Sequence, residues 1–303
     1  VAYELPLIDN KTLLTATGGY LGGFTHTINL SHGCAFAASS CGAYCYAQHN
    51  AWITRGRPWG LYGFKRHVAQ AYRREFARLK QPRRGGPKPL RVFMSSSTDP
   101  YQPQESRLGL TRALVAEMVR RPPDVLVLQT RSPLVTRDRD LITELAQKCE
   151  LWVSVTVETD MERIPGLPKH ATPLGKRIAA LQVFRDAGVR TQAAVSPLLP
   201  LADTRQFART LDPACQRVIL DHYLLGDGSP DGLRTRRTNF PRLLEAAGLG
   251  DWNGLDKLWE VRRVFEEVLG PGRVLLSRDG FNAVGPEHAP RETAPLTPAG
   301  PAP

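Results

Sequence analysis

Three of the chain's five cysteines, Cys34, Cys41 and Cys45, fall within twelve residues, in a run that opens Ser31-His32-Gly33-Cys34 and closes Cys41-Gly42-Ala43-Tyr44-Cys45-Tyr46. Thiolates are soft ligands for iron and zinc, and three of them around a [4Fe–4S] cube leave one iron without a protein ligand. An open iron lets a cluster bind and reduce a small molecule rather than only relay electrons. Two other chemistries use the same residues. A structural zinc site needs a fourth ligand, for which His32 and His49 are candidates, although the spacing matches no familiar zinc pattern. Unligated or disulfide-bonded thiols are opposed by the odd cysteine count and the lack of an export signal.

The cysteines follow a segment, 25–31, that alternates and is β-branched enough for a strand, which sets them at a strand's C-terminal end. Further strands are expected over 90–95, 125–129, 151–157, 190–195 and 217–220, with helices over 104–120, 138–148, 174–187 and 204–211 between them. Such alternation implies right-handed βαβ units and a parallel sheet. Six strands suit an α/β fold, a partial (β/α)6 TIM-type barrel over 25–222, in which catalytic loops sit at the strands' C-terminal ends. Residues 1–24 are expected as an extended lead-in and 223–285 as a C-terminal extension covering the barrel mouth. That extension holds a loop over 226–232, an amphipathic helix over 256–269 and a last strand over 273–277. The Pro/Ala/Thr-rich 286–303 is expected as a disordered tail.

Each expected strand ends in polar residues: Ser95 to Asp99 after the second, Gln129 to Ser132 after the third, Ser154, Thr156 and Glu158 on the fourth, Ser196 on the fifth, Asp221-His222-Tyr223 on the sixth. Barrel strands need apolar side chains along their length, so polar groups gathered at one end imply a polar pocket there. Some of these residues are ordinary helix N-caps. The three-cysteine loop, with an aromatic before its last cysteine and Tyr-Ala after it, resembles the cluster loop of radical S-adenosylmethionine enzymes. The spacing differs, with six and then three residues between cysteines where that superfamily usually has three and then two. Thr98-Asp99-Pro100-Tyr101-Gln102-Pro103, Arg107-Leu108-Gly109-Leu110-Thr111-Arg112 and Thr130-Arg131-Ser132-Pro133-Leu134-Val135 look like the spore photoproduct lyase-like branch. The likeness runs over about 25–221, some two thirds of the chain.

The resemblance implies that Cys34, Cys41 and Cys45 ligate a [4Fe–4S] cluster and that S-adenosyl-L-methionine is bound and cleaved to a 5′-deoxyadenosyl radical, which abstracts hydrogen from a substrate. Ser97, Thr98 and Asp99 would meet the cofactor's amino group, Arg131 and Ser154 its carboxylate, and Tyr46 its adenine; Glu158 joins this cofactor-binding set. A flavodoxin- or ferredoxin-like protein would supply the electron. One departure concerns the chemistry itself. The lyase that gives the branch its name donates hydrogen from a cysteine just before the Ser-Asp-Pro phrase, where this chain has Ser96 and Ser97. Tyr101, His222 and Tyr223, with Arg234, Arg236 and Arg237, are candidate substrate contacts, and Tyr101 or Tyr223 could relay a radical.

Composition adds less. A formal net charge of +11 and a pI near 9.7 point to an anionic partner, which could be nucleic acid, a phosphorylated metabolite or nothing specific. The basic residues crowd 52–91, where a helix over 60–80 is expected with Leu61, Phe64, Val68, Tyr72, Phe76 and Leu79 as its buried stripe. Arg73, Arg74 and Arg78 are then a solvated face or a phosphate-binding one, with Trp52 or Trp59 able to stack on a base. The substrate is accordingly nucleic acid, or a protein, peptide or small metabolite. A non-catalytic metal-binding nucleic-acid protein is the reading outside enzymes. No apolar run is long enough to cross a membrane, and oxygen-sensitive cluster chemistry is expected in the cytoplasm.

Overall fold

The computed structural model describes residues 7–81 and 88–285. Its strands, in chain order, are β1 (Leu7–Ile8), β2 (Leu14–Ala16), β3 (His26–Ile28), β4 (Ser31–Gly33), β5 (Leu61–Lys65), β6 (Arg91–Met94), β7 (Val125–Thr130), β8 (Glu150–Thr156), β9 (Arg190–Val195), β10 (Arg217–Leu220) and β11 (Val274–Leu276). Eight form one sheet in the order β11-β10-β9-β8-β7-β6-β3-β2, parallel throughout except where β2 joins β3. This is the expected α/β partial barrel. The pleat divides each strand between two cores: Leu126 and Leu128 of β7 pack under the outer helices, and Val125 and Val127 face inward. On the inner side Phe24 meets Phe93 edge-on at 5.2 Å, and Phe93 meets Phe281 at 6.1 Å. These rings fill the barrel's interior, so the cavity opens only where the strands turn polar.

Several expectations are corrected. Residues 60–80 hold not one helix but β5 followed by the helix Val68–Leu79. Leu61 and Phe64 fit a helical stripe equally well; what decides is that β5 finds backbone partners on both sides, parallel to β1 and antiparallel to β4. The helix expected over 104–120 is two, Glu105–Leu108 and Leu110–Arg120. Glu105 folds back so that its carboxylate caps the second, accepting from Leu110 N at 3.1 Å and Thr111 N at 2.9 Å. The strand expected over 25–31 splits into β3, inside the barrel, and β4, in the small sheet. The last strand expected over 273–277 forms as β11, and it joins the barrel sheet beside β10, so the sheet has seven parallel strands rather than the six counted. The loop expected over 226–232 is confined to 227–229, between the helical turns Tyr223–Gly226 and Pro230–Gly232.

Beyond the pairing of β1 with β5, the N-terminal segment is bound at further places. Glu75, buried on the Val68–Leu79 helix, accepts from Leu13 N at 3.0 Å and Leu14 N at 2.7 Å. β2 pairs with β3, capping that edge of the sheet. The tail expected over 286–303 lies outside the described residues. Among the described residues no helix is long and apolar enough to cross a membrane.

Candidate active site

The cysteine loop begins at the end of β4. Gly33 has φ +72°, and a Cβ there would stand 1.7 Å from the Gly60 carbonyl oxygen, so only glycine lets the two segments approach. Cys34 N then donates to that same oxygen at 2.9 Å. The six residues after Cys34 form a 3-10 turn, Ala35–Ala38, and the start of the helix Ser40–Tyr44, which returns Cys41 and Cys45 towards Cys34. Wider spacing is thus taken up locally. Gln48 Nε2 closes the loop by donating to the Gly42 and Cys45 carbonyls, both at 3.0 Å. We expect Gly33→Ala to cost about 2–4 kcal/mol in urea unfolding, from the strained φ and the clash together, and to lower iron uptake in parallel.

All five cysteines are free, and the three of the loop line one cavity of about 840 Å³ at the C-terminal ends of the parallel strands. The neighbouring Cys45 thiol, followed by the guanidiniums of Arg131 and Arg177, holds the Cys41 thiol down at about 7. Cys45 is pushed up by Cys41 and by burial, and burial pushes Cys34 up to about 12. Among the described residues no three His, Cys, Asp or Glu side chains are gathered as a single metal ion requires. His32 lines the cavity with the three thiols, whereas His49 does not. Thiols spread around a space rather than closed on one point are compatible with a cubane, whose irons occupy separate corners.

Behind the loop lies a buried ion network. Glu158, past the end of β8, accepts from Arg177 Nη1 at 2.6 Å, Tyr44 hydroxyl at 2.7 Å and Arg131 Nη1 at 3.3 Å. Arg131 Nη1 also donates to the Tyr44 oxygen at 3.0 Å. Burial alone would raise the Glu158 carboxyl, but Arg177, Arg131 and the tyrosine outweigh it and hold it at about 2. Tyr44 precedes Cys45, so the network fixes the loop from behind. In front, Asn29 orients the segment after β6: its Oδ1 accepts from Ser97 N at 2.9 Å and Thr98 N at 3.2 Å, and its Nδ2 donates to Ser96 Oγ at 2.9 Å. The Tyr46 hydroxyl donates to the Ser96 carbonyl, tying the cysteine loop to this segment.

The expected site residues divide. Cys34, Cys41, Cys45, Tyr46, Ser97, Thr98, Asp99, Arg131 and Tyr223 line the cavity. Asp99 does so with both oxygens engaged, by Tyr101 N at 2.8 Å, Thr130 Oγ1 at 2.7 Å and Arg131 N at 2.8 Å, so it holds loops together. Ser154 lies one layer below, bonded to Gln192 Nε2 at 2.9 Å, while Thr156 of the same strand reaches the cavity. Glu158 stands behind Arg131 rather than in the cavity. Tyr101 is buried against Asp138, at 3.1 Å. His222 is buried with both nitrogens used, Nδ1 accepting from Leu224 N at 3.2 Å and Nε2 donating to the Trp252 carbonyl at 3.0 Å. Arg73 forms a two-pronged pair with Glu117 at 3.0 and 3.1 Å, and it, Arg74 and Arg78 lie away from the cavity.

Sequence reasoning missed Asn29 and Arg177. Arg177 carried a signal: it shares the i, i+3, i+4 stripe of Leu174, Leu181 and Phe184, and a charge on a buried stripe needs a buried partner.

No protein-family model matches the chain. It is 34% identical over 155 residues to the uncharacterized protein ORF301 of Acidianus two-tailed virus, covering 50% of this chain and 46% of that one. It is 28% identical over 185 residues to the uncharacterized protein MJ0683 of Methanocaldococcus jannaschii, covering 59% and 62%, and 27% identical over 182 residues to the uncharacterized protein Rv2578c of Mycobacterium tuberculosis, covering 58% and 50%. The matched part spans about half the length of these curated relatives. Among solved structures, spore photoproduct lyase complexed with dinucleoside spore photoproduct superposes with a TM-score of 0.55 at 16% identity, over 89% of this chain and 81% of that one. A doubly substituted mutant of that lyase, with bound AdoMet and dinucleoside spore photoproduct, gives 0.54 at 14%, over the same shares. The chain therefore has the fold of spore photoproduct lyase, a mixed α/β partial barrel around a parallel sheet.

Proposed function

We propose that the chain is a radical S-adenosylmethionine enzyme whose Cys34, Cys41 and Cys45 hold a [4Fe–4S] cluster. The observation that carries this is the position of the three thiols, on one cavity, at the C-terminal mouth of a parallel barrel. When bound and reduced, such a cluster supplies the electron that splits a C–S bond of S-adenosylmethionine. The protein's own residues bind and aim. Ser97 and Thr98, oriented by Asn29, offer oxygens to the cofactor's amino group. Arg131, anchored through one nitrogen to Tyr44 and Glu158, presents its positive guanidinium to the carboxylate. Tyr46 walls the adenine side. The cavity, at the upper end of the range for small-molecule sites, has room for the cofactor and the reacting part of a substrate. A flavodoxin- or ferredoxin-like donor completes the system.

For the substrate, a second observation favours nucleic acid: Trp52 borders the cavity yet is 91% exposed, beside Arg55 and Lys65. An aromatic face flanked by cations suits a stacked base with its phosphates. Trp52→Ala with Arg55→Ala should then weaken single-stranded DNA binding about tenfold or more and flatten its salt dependence. The class itself is tested by anaerobic reconstitution with iron and sulfide, then dithionite and S-adenosylmethionine. The expected result is about four irons per chain and release of 5′-deoxyadenosine; a reconstituted protein that leaves the cofactor intact refutes the proposal.

A further inference from the structure

On the flank of the sheet remote from β3, Asp221 leaves the end of β10 and lines the same cavity, 3% exposed. Ser196 Oγ donates to its Oδ2 at 2.8 Å, and the Tyr20 hydroxyl donates to its Oδ1 at 3.3 Å. Tyr20 is in turn 3.2 Å from Ser277 Oγ. These side chains come from four separate places: the N-terminal segment and the ends of β9, β10 and β11. Gly226 packs so closely on the carboxylate that a Cβ there would stand 2.0 Å from Oδ2. The group is thus held in place from every side but the cavity.

What it lacks is a counter-charge or a backbone donor. The other buried acids among the described residues have one or the other: Glu158 has Arg177 and Arg131, Glu117 Arg73 and Arg121, Glu105 Arg137, Asp138 Arg112 and Arg137, and Glu75, Asp99 and Asp227 each accept from two backbone N–H groups. Among the described residues Asp221 makes no ion pair and its carboxylate accepts no backbone N–H; its hydrogen bonds come from hydroxyls. A carboxylate so buried is destabilising. A ligand's positive charge would offset that cost.

We propose that Asp221, steadied by Ser196 and Tyr20, anchors a protonated nitrogen of the ligand in this cavity: an amine or guanidine of the substrate or, in place of the Ser97 and Thr98 oxygens, the ammonium of S-adenosylmethionine. The inference rests on reading the cavity as the enzyme's active site. The other titratable groups around the carboxylate are Tyr20, Tyr46, Asp227 and Arg234, and Arg234 is turned to the Asp227 carbonyl at 3.0 Å. Burial raises the Asp221 carboxyl to about 6, with Asp227 adding to the rise. The anchor is therefore charged above that pH, and amine affinity should grow about tenfold from pH 5 to pH 7.

The test compares benzylammonium, benzyl alcohol and S-adenosylmethionine by calorimetric titration of the reconstituted wild type, Asp221→Asn and Ser196→Ala. The expected result is a preference for a cationic ligand that falls at least tenfold in Asp221→Asn and survives in Ser196→Ala, which keeps the charge. Asp221→Asn should also unfold several degrees above the wild type at pH 8, since it removes an uncompensated buried charge. That readout excludes simple misfolding. A loss confined to benzylammonium assigns the charge to the substrate; a loss confined to S-adenosylmethionine assigns it to the cofactor. Wild type without charge preference, or Asp221→Asn with all three affinities unchanged, overturns the proposal. Nucleic acid held at the rim offers phosphates and no such cation, so the amine probe also separates that reading. Release of 5′-deoxyadenosine by the wild type reports on the enzyme class independently, whichever way the titrations fall.

Discussion

Cys41→Ala should fold normally and lose its iron, and with it all release of 5′-deoxyadenosine above background. Cys41 is one of three thiols on the cavity, and its replacement leaves two ligands where a cubane needs at least three. The matched controls are Cys149→Ala and Cys215→Ala. Cys149 donates to the Leu145 carbonyl at 3.5 Å and Cys215 to the Leu211 carbonyl at 3.4 Å, and neither lines the cavity. Both control variants should keep the full complement of iron, measured by chelation and by the visible charge-transfer band. Iron binding that survives in Cys41→Ala and disappears in Cys149→Ala would mean that the loop is not the ligand set.

The second large effect is on stability. Arg177 and Glu158 are both fully buried and 2.6 Å apart, and Arg177→Met leaves the carboxylate with a weaker set of partners. Breaking one side of such a pair costs about 3–5 kcal/mol. The pH dependence identifies the cause. Held at about 2 against an ordinary 4.5, the Glu158 carboxyl contributes stability that is complete above pH 4.5 and is lost as pH falls through about 2. Arg177→Met should be less stable than the wild type at pH 7 and should lose less on acidification, because its carboxyl takes up a proton nearer the ordinary range. The double variant Glu158→Gln with Arg177→Met should recover part of the loss, since no charge is then stranded. Urea unfolding between pH 2.5 and pH 7 measures all three. Equal losses for the two variants across that range would show that the ion pair is not what Arg177 supplies.

Local pattern carried the barrel well. β9, β10 and the helix Thr204–Leu211 lie where alternation and helical spacing put them, because runs such as Val218-Ile219-Leu220 have few other ways to bury themselves. Pattern failed where two structures bury the same side chains. Leu61, Phe64 and Val68 suit a helix or a strand followed by a helix, and the free edges of β1 and β4 made the choice. The same distinction runs through the site. The density of cysteines and the polar strand ends singled out side chains most of which do border one cavity. Polar type alone could not separate those that face the cavity from those that brace it: Glu158, Tyr101 and His222 look like site residues and are consumed by Arg177, Asp138 and the Trp252 carbonyl.

The sequence by itself therefore determined the chemistry available to this protein, three thiols after a β-strand and a ring of polar strand ends, because residue type and short-range order are local properties. Tertiary structure alone decided the rest: that a 3-10 turn absorbs the wider cysteine spacing, that Arg177 stands behind Arg131 and Glu158, and that Tyr20 and Asp221, 201 residues apart, meet across the cavity. A buried charge is neutral in effect or costly according to what lies beside it, and what lies beside Asp221 is set by four segments that only the folded partial barrel brings together.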